Sequence, residues 1–373
     1  MPDSAPGTRR IRYVDFPAQY ADERNAIIAL VDDVFGSGAF VGGGHIEKFE
    51  AAAAAYVGTK HAIALNSGTD ALILAMKGFG MGPGDEVITP PNSFVASTAA
   101  IAAIGAVPVF ADVKPDQNID PDAIEAVITG KTKAIMPVHL TGRVAEMDRL
   151  MEIAAQHGLK VIEDAAQSFG SRYQDVMSGA IGHAGCFSAH PLKNLNAAGD
   201  AGFITTDDDE MAARIRLLRN HGLKDRETVV EWGTVSRLDN LQAAILTHRL
   251  GRVDRVIEKR RANAALYRSL LPAAHVFVPP CRQQEFNTFH TFVVQVDRRD
   301  ELRAYLMERG IETAVHYPVP IHLQPAAADM GHKTGDFPAT EEQAGRIVSL
   351  PVHQFLSADD IGCVASTIEA FYK

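Results

Sequence analysis

Lys160-Val161-Ile162-Glu163-Asp164-Ala165-Ala166-Gln167 is the stretch on which the fold turns. An apolar run ending in two acids and then small residues reads as a strand whose carboxyl end opens into a loop. Immediately before it, residues 147–157 carry the amphipathic pattern of a helix, and 133–138 form another apolar run. Working outward, 86–89, 107–111, 185–188 and 202–205 read as further strands, and 70–79, 94–104, 121–128 and 208–220 as helices. This alternation, from about residue 62 to 205, is the rhythm of a mostly parallel sheet covered by helices. In such open sheets ligands bind beyond the carboxyl ends of the strands, so those ends are where chemistry is sought. Further on, one long helical pattern spans 238–270. A second unit follows, with strand 289–296, helix 299–309, strand 313–316 and a last helix over 358–372. The expected fold class is α/β: a large domain over 1–250 with a mostly parallel mixed sheet, and a smaller C-terminal α+β domain over 251–373.

The 373 residues are 46% hydrophobic and 22% charged, an ordinary globular balance in a chain too long for one small core. A formal net charge of −10, with scattered basic residues, gives no footprint for nucleic acid or an anionic membrane. Residues 94–111 carry no charge, but Ser97, Thr98, Gly105 and Pro108 interrupt them. A helix, a turn and a buried strand are expected there rather than a membrane span. The N-terminal 1–13 lack the apolar core of a secretory signal, so a cytoplasmic location is expected. Cys186, Cys281 and Cys363 are odd in number and far apart, which suits a reduced compartment and neither a disulfide framework nor a metal site. The glycines at 36, 38, 42–44 and 78–84 lack the strand-before, helix-after setting of a dinucleotide loop, which argues against NAD.

Three strand ends carry candidate chemistry. Asn66-Ser67-Gly68-Thr69 follows an apolar run at 62–65 and precedes a helix; its backbone amides suit a phosphate, or it is a plain helix cap. Asp164 could hold a proton on a heterocyclic ring nitrogen, or merely organise its own loop. Lys193, in Cys186-Phe187-Ser188-Ala189-His190-Pro191-Leu192-Lys193, lies just past a strand, where desolvation would turn its ammonium towards a nucleophilic amine; most lysines are instead solvated charges. All three together, in this order, favour the chemical readings.

These motifs resemble those of the DegT/DnrJ/EryC1/StrS sugar aminotransferases, a branch of the aspartate-aminotransferase fold type (fold type I). The resemblance extends over Gly38-Ala39-Phe40-Val41-Gly42, Phe49-Glu50, 66–72, 90–97, 137–142, 163–167, 187–202, Ser236-Arg237-Leu238, Gln242-Ala243-Ala244 and His316-Tyr317-Pro318. It implies pyridoxal 5′-phosphate as cofactor, held covalently by Lys193, with Asp164 on the pyridine nitrogen, Gln167 by the phenolic oxygen and Phe94 stacked on the ring. Gly68, Thr69 and Ser188 would hold the phosphate. It further implies an amino donor, glutamate, and a nucleotide-linked keto-sugar as acceptor. A homodimer with shared active sites is implied as well. Asp70 resembles the branch that aminates carbon 3 rather than carbon 4. His290, His316 and His322 resemble positions near the sugar's diphosphate, or are structural hydrogen-bonders. Arg237 is a substrate-anion clamp or a structural ion pair. Two positions depart from the family pattern. Val235 stands where an Asn from the neighbouring subunit usually touches the phosphate, and Ala189-His190 replaces an aromatic pair. The lysine disfavours the family's dehydratases, which have a His in its place. A cofactor-binding regulatory protein without turnover is the rival outside enzymology.

Overall fold

Short apolar runs bounded by turn formers assemble into one seven-stranded sheet. Its strands are β1 (His61–Leu65), β2 (Glu86–Thr89), β3 (Val107–Phe110), β4 (Thr132–Ile135), β5 (Lys160–Asp164), β6 (Ala184–Ser188) and β7 (Gly202–Thr206), in the order β1-β7-β6-β5-β4-β2-β3. Strand β7 is antiparallel to both neighbours and every other pairing is parallel. This computed structural model describes residues 10–373; residues 1–9, part of the segment in which a secretory signal was sought, lie outside the described residues.

Alternation along a strand sends successive side chains to opposite faces. Ile162 joins one core, with Ile63, Leu72, Met76 and Ile215; Val161 joins another, with Met147, Leu150 and Ile153. Helix α1 (Phe16–Ser37) packs against α7 (Asn240–Leu250), and the helices that supply those cores and a third one are α2 (Gly44–Val57), α3 (Gly68–Gly78), α4 (Ala96–Ala103), α5 (Met147–His157), α6 (Asp209–Leu218) and α7. A further core gathers Tyr267 of α8 (Val253–Leu270) with Phe292, Val294, Val348, Leu350 and Ile368. It fills the space between a three-stranded antiparallel sheet, β8 (Val276–Phe277), β9 (Phe292–Val296) and β10 (Ile347–Leu350), and the helices α9 (Arg299–Glu308) and α10 (Ala358–Tyr372). Ile11, from the other end of the chain, belongs to the same core through a parallel bridge to Ile311.

Three sequence expectations are corrected. The pattern over 238–270 is two helices, because α7 stops at Gly251 and α8 starts at Val253, with Asp254 in its first turn. Residues 121–128 form two 3-10 turns rather than an α-helix: only Pro121 and Ile124 are buried, and a spacing of three suits three residues per turn. Residues 313–316 hold a single bridge, Ala314 to Ser349, before the chain bends away, so no strand forms there.

Candidate active site

The loops after β1, β5 and β6 meet at one end of the sheet. After β1, the Ser67 hydroxyl accepts the Asp70 N–H (3.1 Å) and starts α3. The first turn of that helix lies flat on the neighbouring strands. A Cβ on Gly68 would come within 2.6 Å of the Ser188 Cβ, and one on Gly202 would overlap the Ser67 carbonyl. Glycine at both positions is what lets the helix N-terminus approach the end of β6. Ser67, Gly68 and Thr69 thus line a cavity of about 470 Å³, together with Phe94, Asp164, Gln167, Ser188 and Lys193. That volume is within the range of small-molecule and cofactor sites.

The two acids that end β5 have opposite surroundings. Glu163 is fully buried away from the cavity and accepts four hydrogen bonds, from His139 Nε2 (2.8 Å) and the amides of Gly179, Ile181 and Gly182. His139 Nδ1 accepts the Ala145 N–H, so its Nε2 is the proton donor to Glu163. Asp164 faces the cavity. Its Oδ2 accepts the Ser97 hydroxyl at 2.7 Å and its Oδ1 the Ala166 N–H at 3.2 Å. Burial raises its pKa, against those hydrogen bonds and the nearby Lys193.

Lys193 sits on an excursion closed at its base by Ala189 N–H to Ala201 and Ala197 N–H to Ala189. Burial pulls its amine down to about 8, against the attraction of Asp164. Gln167 accepts the Thr141 N–H (2.8 Å) and donates to the Tyr317 hydroxyl (3.2 Å). The Phe94 ring, 55% exposed, stands 5.6 Å from that of Tyr317.

The structure brings His290 and His316 to the same cavity. Burial holds His316 at about 4, with Lys193 adding to the effect, and its Nδ1 bonds the Ser349 hydroxyl at 2.7 Å. His290 is pushed well below its usual range by burial and by the cations around it, so both imidazoles are neutral at pH 7. Two expected residues lie elsewhere. His322 is absent from the cavity lining; it is buried against Phe337 and bonded to Glu341. Of its two expected readings, these contacts are those of the structural hydrogen-bonder. Arg237 is exposed, bonds the Asn220 side chain and does not line the cavity of its own chain. Sequence reading had assigned no role to Ser97 or Tyr317. Both lie in segments matched to the family, but only the folded chain sets one against Asp164 and the other against Gln167.

The residues present fit a phosphorylated pyridine aldehyde. The amides at the start of α3 and the Ser188 hydroxyl suit its phosphate, Asp164 suits a protonated ring nitrogen, and the Lys193 amine suits its aldehyde carbon. Among the described residues, no group of three or more His, Cys, Asp or Glu side chains is arranged to hold a metal ion. None of the described helices is long and apolar enough to cross a membrane.

A mostly parallel sheet with a half-buried lysine and a buried carboxylate facing one cavity at its strand ends defines a pyridoxal-phosphate-dependent transferase. The chain belongs to the DegT/DnrJ/EryC1/StrS aminotransferase family, whose model matches residues 21–369. It is 43% identical to the dTDP-3-amino-3,4,6-trideoxy-alpha-D-glucose transaminase of Streptomyces venezuelae, over 92% of each chain. It is also 43% identical to the pleiotropic regulatory protein of Geobacillus stearothermophilus, over 96% of this chain and 98% of that one. The solved structure of S. venezuelae DesV superposes with a TM-score of 0.95 at 41% identity, covering 98% of this chain and 99% of DesV.

Proposed function

We propose that this aminotransferase moves an amino group from glutamate to carbon 3 of a nucleotide-linked keto-sugar, with Lys193 and Asp164 as its catalytic residues. The observation that carries the reading is the pairing of a depressed lysine amine with a buried acid in one cavity. When bound, pyridoxal phosphate supplies the electron sink that loosens a proton on the carbon next to the transferred nitrogen. Lys193, neutral in a substantial fraction near pH 8, holds the cofactor and, once released from it, carries that proton from one carbon to the other. A lone buried carboxylate such as Asp164 is costly until a cation reaches it. A protonated ring nitrogen is that cation, and Ser97 and the Ala166 amide keep the carboxylate aimed at it. The α3 amides with Gly68, Thr69 and Ser188 would hold the phosphate, Phe94 would cover the ring and Gln167 would lie by its phenolic oxygen.

Carbon 3 is favoured by Asp70 in the first turn of α3 and by the 3-amino sugar in the name of the S. venezuelae relative. The nucleotide matters because binding its remote diphosphate helps orient the ketone. A regulatory role alone, which the Geobacillus relative's name raises, requires no depressed lysine amine.

We further propose a homodimer with shared sites, divided within each chain into units over 1–250 and 251–373. Supporting the dimer, Phe35, Phe40, Val41, Val235 and Trp232 expose large apolar surface, and Trp232 is 89% exposed. Arg237, two residues past Val235, is exposed and bonds the Asn220 side chain. Paired assays with 3-keto and 4-keto nucleotide sugars, with the product followed by NMR, test the substrate. Amination at carbon 3 is expected. Efficient reaction at carbon 4 alone, or equal activity on a sugar lacking the nucleotide, contradicts it.

A further inference from the structure

Arg260 of α8 is nine-tenths buried and lines the active-site cavity. Buried guanidinium groups ordinarily face a carboxylate, since an uncompensated charge is costly to bury. Arg143, buried to a similar degree, follows the rule, with Glu285 at 3.0 Å and Asp116 at 3.7 Å. Arg260 does not. Among the described residues its only hydrogen bonds run from Nη1 to the carbonyls of His290 (3.0 Å) and Phe289 (3.4 Å). Its Nε is buried with no partner, and no described residue accepts from Nη2. The neighbouring Tyr13 is held neutral by burial, which raises its pKa, so it supplies no countercharge. Burial pulls Arg260 down to about 10, which leaves it cationic at pH 7.

Nε and Nη2 form one edge of the guanidinium, the edge that grips a carboxylate through two parallel hydrogen bonds. The bonds from Nη1 fix the plane of the group, leaving that edge without a partner. We propose that Arg260 binds the α-carboxylate of the amino-acid donor, the assignment resting on the aminotransferase reading above. A carboxylate bears one charge and two coplanar oxygens, matching one cation with one free edge. It is also attached directly to the reacting carbon, so its anchor belongs in the wall of the lysine's own cavity. A diphosphate bears more charge and, in a sugar aminated at carbon 3, sits several bonds from the reacting carbon.

The test separates the two half-reactions of the holoenzyme by its cofactor spectrum. In Arg260→Gln, the L-glutamate concentration giving half-maximal rate should rise tenfold or more, while the value for the keto-sugar in the second half-reaction should change less than threefold. Wild type should prefer L-glutamate over 4-aminobutanoate, which lacks the α-carboxylate, and Arg260→Gln should lose at least tenfold of that preference. Arg260→Lys, which keeps the charge but not the two-pronged edge, should fall between; if Arg260→Gln does not fold, its ratio of donor to sugar effects decides. Equal weakening of both half-reactions would overturn the assignment in favour of a structural role for Arg260. Weakening on the sugar side alone would overturn it in favour of the diphosphate. A wild type whose spectrum no amino acid alters overturns the aminotransferase reading itself, and this assignment with it.

Discussion

Glu163 and Asp164 are neighbours whose environments differ because a strand turns successive side chains to opposite sides. Four donors satisfy Glu163 inside the fold, whereas Asp164 has two and an open cavity. The sequence showed an acid pair at a strand end and its resemblance singled out Asp164; the loops that fold over Glu163 are the physical reason that Asp164 is the member facing the cavity. Lys193 is pushed down by burial and up by Asp164, and the sign of each effect gives a pH prediction. The neutral amine attacks the cofactor aldehyde, so uptake by apo-protein should quicken as pH rises through about 8 and level off above it. In Asp164→Asn the upward pull is gone, so the midpoint should move lower. Cofactor should still bind, with turnover reduced more than tenfold because an amide does not favour a protonated ring nitrogen. Stopped-flow absorbance across pH checks this. A midpoint near the ordinary lysine value of about 10.4, or a turnover loss below tenfold, contradicts it.

At the level of elements, the close approach of α3 to the sheet is the feature that makes a phosphate seat out of a helix start. Gly202→Ala would set a methyl against the Ser67 carbonyl and within 2.6 Å of the Gly68 nitrogen, where only backbone can yield. A loss of about 1–3 kcal/mol or more in stability is expected, with weaker cofactor affinity, read by thermal unfolding with and without pyridoxal phosphate. Unchanged melting and affinity would mean that the helix start is not held by that contact. Elements of the large sheet were legible because their apolar runs are short and separated by turn formers. Helices α1 and α2 were not assigned from pattern. In α1 only Glu23 and Val34 are buried, while Phe16, Tyr20, Ile28 and Phe35 are exposed, so the helix lacks one apolar face to announce it. In α2 a usable signal was present, the alanine run at 51–55 followed by Gly58 in a left-handed cap. The break at Gly251 was hidden because apolar spacing continues across it: Leu246 and Leu250 of α7 share one core with Val253 and Ile257 of α8, and α8 reaches the next core only with Ala264 and Tyr267.

Across the whole molecule, the cavity draws on both ends of the chain: Tyr13, the strand ends of the large sheet, and His290, His316 and Arg260 from beyond α7. The strand-end motifs could be read locally because each positions its own residues. Of the far wall, His290 and His316 were named through the family resemblance alone and Tyr13 and Arg260 not at all, since long-range contacts leave no spacing in the sequence. For His322 the sequence left a substrate contact and a structural role open, and its packing against Phe337 and bond to Glu341 appear only in the folded chain. For the proposed dimer, Lys193→Ala and Arg237→Ala protomers, each inactive or weak alone, should regain part of the activity when mixed. A fully active monomer in sedimentation would be incompatible with shared sites.

The central claim is that Lys193 holds the cofactor, and borohydride reduction of the holoenzyme followed by peptide mapping measures it directly. The account predicts a pyridoxyl group on Lys193 and no chromophore in Lys193→Ala. A tag on any other lysine, or no chromophore in the wild-type protein after incubation with pyridoxal phosphate, would contradict it.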